Sequence, residues 1–424
     1  MTSSLSKPID SIVSPDSVNA SPVSPLGQAW RSLWALDPGI TFLNHGSFGA
    51  CPRAVLEKQS ALRSQMELEP VRFFALELEP LLDQARQILA TFVGADATDL
   101  AFVPNATTGV NAVLRSLCVP TADRAALQAG DELLTTNHEY NASRNALDFV
   151  AQVSGATVVV AEVPFPIAAP EQAVAAILNR VSSRTRLVLL DHVTSQTGLI
   201  FPLQSVIRQL TEAGIEVLVD GAHAPGMIAL NLKALGATYY TGNCHKWLCA
   251  PKGAAFLYVQ ADRQNSLRPL TISHGANSNQ NRDRSRFWLE FDWTGTADPT
   301  PYLCVPEALG FMGSLLPGGW QALMQHNRDT ALAARALLSQ ALSVEPPCPE
   351  SMIGSMAVVP LPNGSAEHLQ NLLFQQRIEV PVIPWQNPTN RLIRVSAQIY
   401  NTPADYDVLT KVMLTLLQEE KKGI

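Results

Sequence analysis

Between residues 100 and 259 the apolar positions follow two alternating rhythms. Short unbroken runs, LAFV (100–103), DELLTT (131–136), ATVVVAEV (156–163), RLVLLD (186–191) and IEVLVD (215–220), show no polar–apolar alternation. Each precedes a stretch with helical spacing: NATTGVNAVLRSL, YNASRNALDFVAQV, EQAVAAILNRV, LQSVIRQLTEAG and GAHAPGMIALNLKALG. Strands that are apolar throughout are covered on both faces, and strand–helix repetition builds a parallel sheet. The pattern predicts an α/β fold with a mainly parallel, doubly wound sheet. Ligands in such sheets bind beyond the carboxyl ends of the strands. From about residue 310 the texture changes to the helix RDTALAARALLSQAL and the strands SMAVVPL and RLIRVSA, which predicts a smaller α+β unit. The expected organisation is a disordered Ser/Pro-rich tail over 1–26, a large domain over 27–310 whose first residues join the small one, and a small C-terminal domain over 311–424.

Composition narrows the function without naming it. Lys plus Arg is 30 against Asp plus Glu 37, a net charge of −7, which argues against nucleic acid or an anionic membrane as partner. No apolar run approaches the ~20 residues of a membrane span. Six scattered cysteines and no secretory signal predict a reducing, cytoplasmic setting.

Four strand-end segments carry polar residues of complementary types. In NATTGVN (105–111), Asn105, Thr107 and Thr108 are N-cap material; alone they read as a plain cap, and the same helix start also suits a phosphate. In VLVDGAHAPG (217–226), Asp220 ends an apolar strand and His223 follows; Asp220 can pair with a cation or cap a helix. LDHVTSQTG (190–198) offers His192, expected to be structural, and a group of hydroxyls and amides. In TGNCHKWLCAPKG (241–253), Lys246 sits between two short strands, 26 residues after Asp220. An unpartnered buried ammonium is costly, and the cost vanishes when the amine is neutral or held as a Schiff base to an aldehyde. Pyridoxal 5′-phosphate needs a covalent lysine, a carboxylate for its ring nitrogen, a phosphate cup and a partner for its ring hydroxyl. Lys246, Asp220, Thr107 with Thr108, and His223 supply those types. Cys244, His245 and Cys249 are metal-ligand types, but structural zinc takes four ligands from two close pairs and no second pair lies nearby, so no metal is expected.

From about residue 40 to 405 the sequence resembles the class V aminotransferase family of fold-type I enzymes, most of all its isopenicillin N epimerase branch. The resemblance is carried by FLNHGSFG (42–49), HEYNA (138–142), DGAHAPG (220–226), GNCHKWLCAPKG (242–253), FDWTGTADPTPYL (291–303) and RVSAQIYN (394–401). It implies further roles. Asn243 and His245 would hold the cofactor phosphate, and Tyr140, with His138 as runner-up, would stack on the ring. Thr296 would reach the phosphate from a neighbouring subunit, so the resemblance also implies a homodimer with shared sites. Arg394 would bind the substrate α-carboxylate as a fork, and Asn44 and His45 would line the substrate pocket.

The chemistry then turns on what happens at the α-carbon of an amino acid or aminoacyl substrate. A desulfurase would need a cysteine about fifteen residues before Arg394, and VPVIPWQNPTNRLIR has none; Cys348 lies 46 residues away. An epimerase or racemase is the first expectation, with proton return by Tyr140, His45 or a swinging Lys246. A C–S lyase is the alternative, followed by an aminotransferase and by a catalytically silent cofactor-binding protein. Trp288, Trp293 and Trp385 are expected to pack, and RDRSRF (282–287) to form a solvated loop.

Overall fold

The computed structural model describes residues 29–122, 124–278 and 284–422, so the expected N-terminal tail lies outside the described residues. A seven-stranded sheet has the order β2-β8-β7-β6-β5-β3-β4. Its strands are β2 (Leu100–Val103), β3 (Glu132–Thr136), β4 (Thr157–Ala161), β5 (Thr185–Asp191), β6 (Glu216–Asp220), β7 (Tyr239–Asn243) and β8 (Ala255–Val259). The pairs from β4 through β7 are parallel, whereas β8 runs antiparallel to both β7 and β2. β1 (Thr41–Phe42) lies outside this sheet.

Helices cover both faces, which is why the strands need no polar side. Taken in chain order they are α1 (Arg53–Leu68), α2 (Leu78–Val93), α3 (Ala106–Ser116), α4 (Asn141–Ser154), α5 (Pro170–Leu178) and α6 (Leu203–Glu212). Leu82, Leu89, Ile177 and Val206 pack on one face and Val110, Val113, Leu147 and Val150 on the other. Burying each such side chain contributes about 1.5–3 kcal/mol. α3 starts at Asn105, whose side chain accepts the Thr108 amide, and α4 stops at Gly155 in the left-handed region.

The expected helix after β6 does not form as one element: only Leu232–Leu235 is helical. Residues 221–231 instead wind through turns, because Gly226 has φ +86 and a Cβ there would stand 2.6 Å from the Trp247 backbone. This tight passage brings the Asp220–Gly226 segment against the lysine loop.

The C-terminal part contains α7 (Val305–Ser314), α8 (Gly319–Leu342), β9 (Met356–Leu361), α9 (Ala366–Gln375), β10 (Ile378–Glu379), β11 (Val382–Trp385), β12 (Asn387–Ser396) and α10 (Pro403–Lys422). β11, β12 and β9 form an antiparallel sheet, and β10 pairs with β1. Trp34 packs on Tyr400 and Phe311, tying the N-terminal segment to this layer. One correction falls at the predicted solvated loop. Arg284 is 12% exposed and pairs with Asp83 and Asp292, and Arg86 shares Asp292, so this end of the segment is a buried ionic cluster.

Candidate active site

The carboxyl ends of β5 and β6 deliver two aspartates side by side. Asp191 and Asp220 are register partners in a parallel pair, so both side chains leave the sheet on the same face. Asp220 accepts Ser143 Oγ at 2.8 Å and the Ala222 amide at 3.0 Å. Burial pushes its carboxyl up, while Ser143, Ala222 and the Lys246 charge pull it back.

Lys246 is held on a rigid loop. The Cys249 amide bonds the Lys246 carbonyl, Ala250 bonds Cys244, and both Cys244 and His245 donate their amides to the Ala254 carbonyl. The lysine Nζ lies 3.0 Å from His223 Nε2. Burial, and then the Arg394 charge, push Lys246 down to about 7, against the pull of Asp220 and Asp191. A lysine in this state supplies a free amine near neutral pH, as both covalent capture of an aldehyde and proton transfer require.

A cavity of about 180 Å³ opens above these groups, lined among others by Thr107, Tyr140, Asp191, Asp220, His223 and Lys246. Asn243 and His245 also line it, with Ser47, Phe48 and Ser195. At the start of α3, Thr108 is committed to the cap through its amide and hydroxyl on Asn105 Oδ1, which leaves Thr107 at the cavity wall. The Ala106 amide donates to Asn243 Oδ1 at 2.8 Å, fixing Asn243 with its amide nitrogen as the remaining donor. His245 donates from Nδ1 to the Ala254 carbonyl. Its Nε2 can therefore donate only as the imidazolium, a form that burial and Lys246 suppress and a bound anion favours.

Arg394, on β12, is a buried guanidinium with no carboxylate in ion-pair range among the described residues. It donates to the Ser195 carbonyl, to Asn44 Oδ1 at 3.3 Å and to Ser47 Oγ at 3.1 Å. Burial pushes it down to about 10. Ser195 and Ser47 line the cavity, so the fork sits directly behind its wall.

Four residues named from the sequence stand elsewhere, the first being Asn44, which does not line this cavity and instead accepts from Arg394. His45 is fully buried: Nδ1 meets the Tyr400 hydroxyl at 2.7 Å and Nε2 donates to the Lys246 carbonyl at 3.0 Å, so it fastens the lysine loop and is not part of the cavity wall. His138 is equally buried, bonded to Thr197 and the Val163 carbonyl and packed on Trp385, whereas Tyr140 is 42% exposed at the cavity. Thr296 is exposed and does not line the cavity of its own chain. Cys244 and Cys249 are buried thiols raised by desolvation. Among the described residues the metal-ligand types that converge are Glu139, Asp191 and Asp220, not the cysteine–histidine group. Asp191, Glu139, Ser143, Ser195, Ser47 and Phe48 join the site without a role expected from the sequence. Asp191 carries a local signal, an aspartate ending an apolar strand as Asp220 does, beside His192.

Residues 51–409 match the family model described as aminotransferase class-V. The chain belongs to the class-V aminotransferase family. It is 35% identical over 404 residues to the isopenicillin N epimerase of Amycolatopsis lactamdurans, covering 92% of this chain and 98% of that protein. The epimerase of Streptomyces clavuligerus is 33% identical with the same coverage. A probable chloroplastic L-cysteine desulfhydrase of Arabidopsis thaliana is 28% identical, covering 90% and 84%. Among solved structures, a mutant of C-DES with glycine covalently linked to its PLP cofactor superposes with TM-score 0.76 at 22% identity, over 89% of this chain and 96% of that one. The Escherichia coli cysteine desulfurase CsdA gives TM-score 0.74 at 20% identity, over 92% and 98%. Both share the fold.

Pyridoxal 5′-phosphate is the cofactor of this class-V enzyme. The cavity fits it on its own evidence. It combines a buried amine, a buried carboxylate and a helix start with Thr107. Two buried polar atoms in its wall, His223 Nδ1 and Asp191 Oδ2, have no hydrogen-bond partner among the described residues. Among the described residues no helix is long and apolar enough to cross a membrane.

Proposed function

We propose that this enzyme epimerises the α-carbon of an amino acid or aminoacyl substrate. The observation that carries the reading is the pairing of Lys246, a buried amine held near neutrality, with Arg394, a buried guanidinium lacking a carboxylate partner. The two isopenicillin N epimerases, matched along nearly their whole length, support the same choice.

When bound, the cofactor supplies a sink for the electron pair left at Cα. Asp220 would keep a negative charge for the ring nitrogen, and Tyr140 would pack against the ring. Thr107, Asn243 and His245 would hold the phosphate. Arg394, steadied by Asn44 and Ser47, takes the substrate carboxylate as a fork and so sets which Cα bond faces Lys246. Lys246 Nζ removes the α-proton as general base. The Tyr140 hydroxyl, at the cavity and partly exposed, returns a proton on the opposite face; His45 cannot, because both its ring nitrogens are engaged below the wall.

Phe48 is 74% exposed beside the cavity and Thr296 is exposed on its own chain, which supports a homodimer in which each subunit completes the other's site. Six unpaired cysteines support a cytoplasmic location.

The second reading is C–S elimination, which the cysteine desulfhydrases favour. Incubation with candidate amino acids in deuterium oxide separates the two. Deuterium at Cα with loss of optical activity is the expected result; pyruvate with release of sulfide or thiol as the main products overturns it.

A further inference from the structure

Three carboxyl groups meet at the floor of the site, and the proposed mechanism uses one of them. Glu139 follows β3, Asp191 ends β5 and Asp220 ends β6, three neighbouring strands. Their carboxyl oxygens lie within 4.8 Å of one another, and all three residues are buried. Hydrogen bonds divide them unequally. Asp220 accepts from Ser143 and Ala222, and Glu139 accepts the Thr135 hydroxyl at 3.0 Å and the Tyr140 amide at 3.2 Å. Asp191 is near the same Tyr140 amide, but its Oδ2 has no partner although it is buried in the cavity wall.

Few charges face the cluster. Lys246 acts on Asp191 and Asp220, Arg144 acts weakly on Glu139, and the neutral Tyr240 hydroxyl stands near Asp220. None of the three acids forms an ion pair with a lysine or arginine among the described residues. One ammonium, itself held near neutrality, cannot stabilise three adjacent buried carboxylates.

We propose that Asp191 and Glu139 are protonated positioning residues, a neutral acid pair that confines the single negative charge of the cluster to Asp220 and presents the Asp191 Oδ2 proton to the cofactor. Asp220 is the member that keeps the charge because it has two donors and the ammonium. Glu139 also fixes the backbone of Tyr140, so one proton-bearing side chain links the charge beneath the ring to the aromatic beside it. Burial and the neighbouring carboxylates push Glu139 up to about 8 and Asp191 well above the ordinary range, in accord with this geometry. The two acids titrate as a pair with Asp220 rather than singly. The inference needs the cofactor but not the epimerase reading, and no measurement below depends on which reaction occurs at Cα.

The sign of the pH effect follows from linkage. A carboxyl raised in the folded state stabilises fully below its unfolded pKa, 4.5 for Glu139, and that stabilisation is lost as pH rises towards about 8. The test uses isosteric variants Glu139→Gln and Asp191→Asn, as apoprotein and holoenzyme. Infrared spectra of the wild-type apoprotein at neutral pH should contain protonated-carboxyl stretches that shift in deuterium oxide, and each variant should remove one. Thermal melts from pH 5 to 9 should show Glu139→Gln gaining on wild type as pH rises, then levelling above about pH 8. In the holoenzyme, the visible cofactor band should change with pH in this range in wild type and not in Glu139→Gln. Absence of protonated-carboxyl bands, or melting differences that do not depend on pH, overturns the proposal. If Asp191→Asn fails to fold, the Glu139→Gln melts and infrared difference decide alone.

Discussion

Replacing Lys246 by methionine, a chain of similar length that cannot charge, tests the central feature of the site in the apoprotein. The lysine is pushed from 10.5 to about 7 by burial and Arg394. Each tenfold loss of proton affinity corresponds to about 1.4 kcal/mol, so folding bears about 5 kcal/mol for this side chain at pH values where it would otherwise be charged. A lysine depressed in the folded state regains that stability as pH rises from its folded towards its unfolded pKa, because the unfolded chain then binds the extra proton. Integrated between pH 7 and 10, the recovery is about 3.5 kcal/mol. Lys246→Met carries no such penalty. It should be the more stable protein at pH 7, and its advantage should shrink by about that amount by pH 10. Urea denaturation of cofactor-free protein, at fixed concentration and several pH values, measures both curves. Parallel curves would refute the reasoning, since the amine would then be solvated or fully paired in the folded chain.

Arg394→Lys keeps the charge but loses the planar fork; KM should rise on the order of 100-fold with kcat within a few-fold, read by Cα deuterium exchange kinetics. Ser143→Ala deletes the hydroxyl on Asp220 and should weaken cofactor binding about tenfold, measured by spectral titration of the apoprotein. Gly226→Ala sets a side chain at φ +86, with its Cβ 2.6 Å from the Trp247 backbone; it should cost about 2 kcal/mol or more and lower cofactor occupancy, whereas Gly214→Ala, whose Cβ meets nothing within 4 Å, should spare the cofactor.

Much of the sheet was legible because its strands are largely apolar on both faces, and β3, β5, β6 and β7 end on a polar residue. Asp220 and Lys246 stood out for that reason, and Arg394 because an arginine inside LIRVSA needs an explanation. Pairing was not legible. Nothing local says that β5 and β6 align with Asp191 beside Asp220, so the three-acid cluster could not be seen. The helix expected after β6 failed because Pro225 and Gly226 prescribe a turn that the spacing of apolar residues does not reveal. The contrast between Tyr140 and His138 has the same origin: two residues apart in sequence, they face cavity and core respectively. The contacts of Arg394 with Asn44 and Ser47 bridge separations of 350 and 347 residues, beyond any local pattern.

Arg394 of β12 draws together stretches of chain that lie far apart in sequence. The titratable groups that line the cavity, Tyr140, Asp191, Asp220, His223, His245 and Lys246, come from the ends of the seven-stranded sheet and the loops after it, whereas Arg394 reaches from β12 to Asn44 and Ser47 as well as to the Ser195 carbonyl. On the proposed reading, electron withdrawal and substrate admission draw on different stretches of chain that are joined at the Ser195 carbonyl. A change at residues 44–47 or along β12 should therefore alter which amino acid is admitted while leaving the groups at the sheet ends in place.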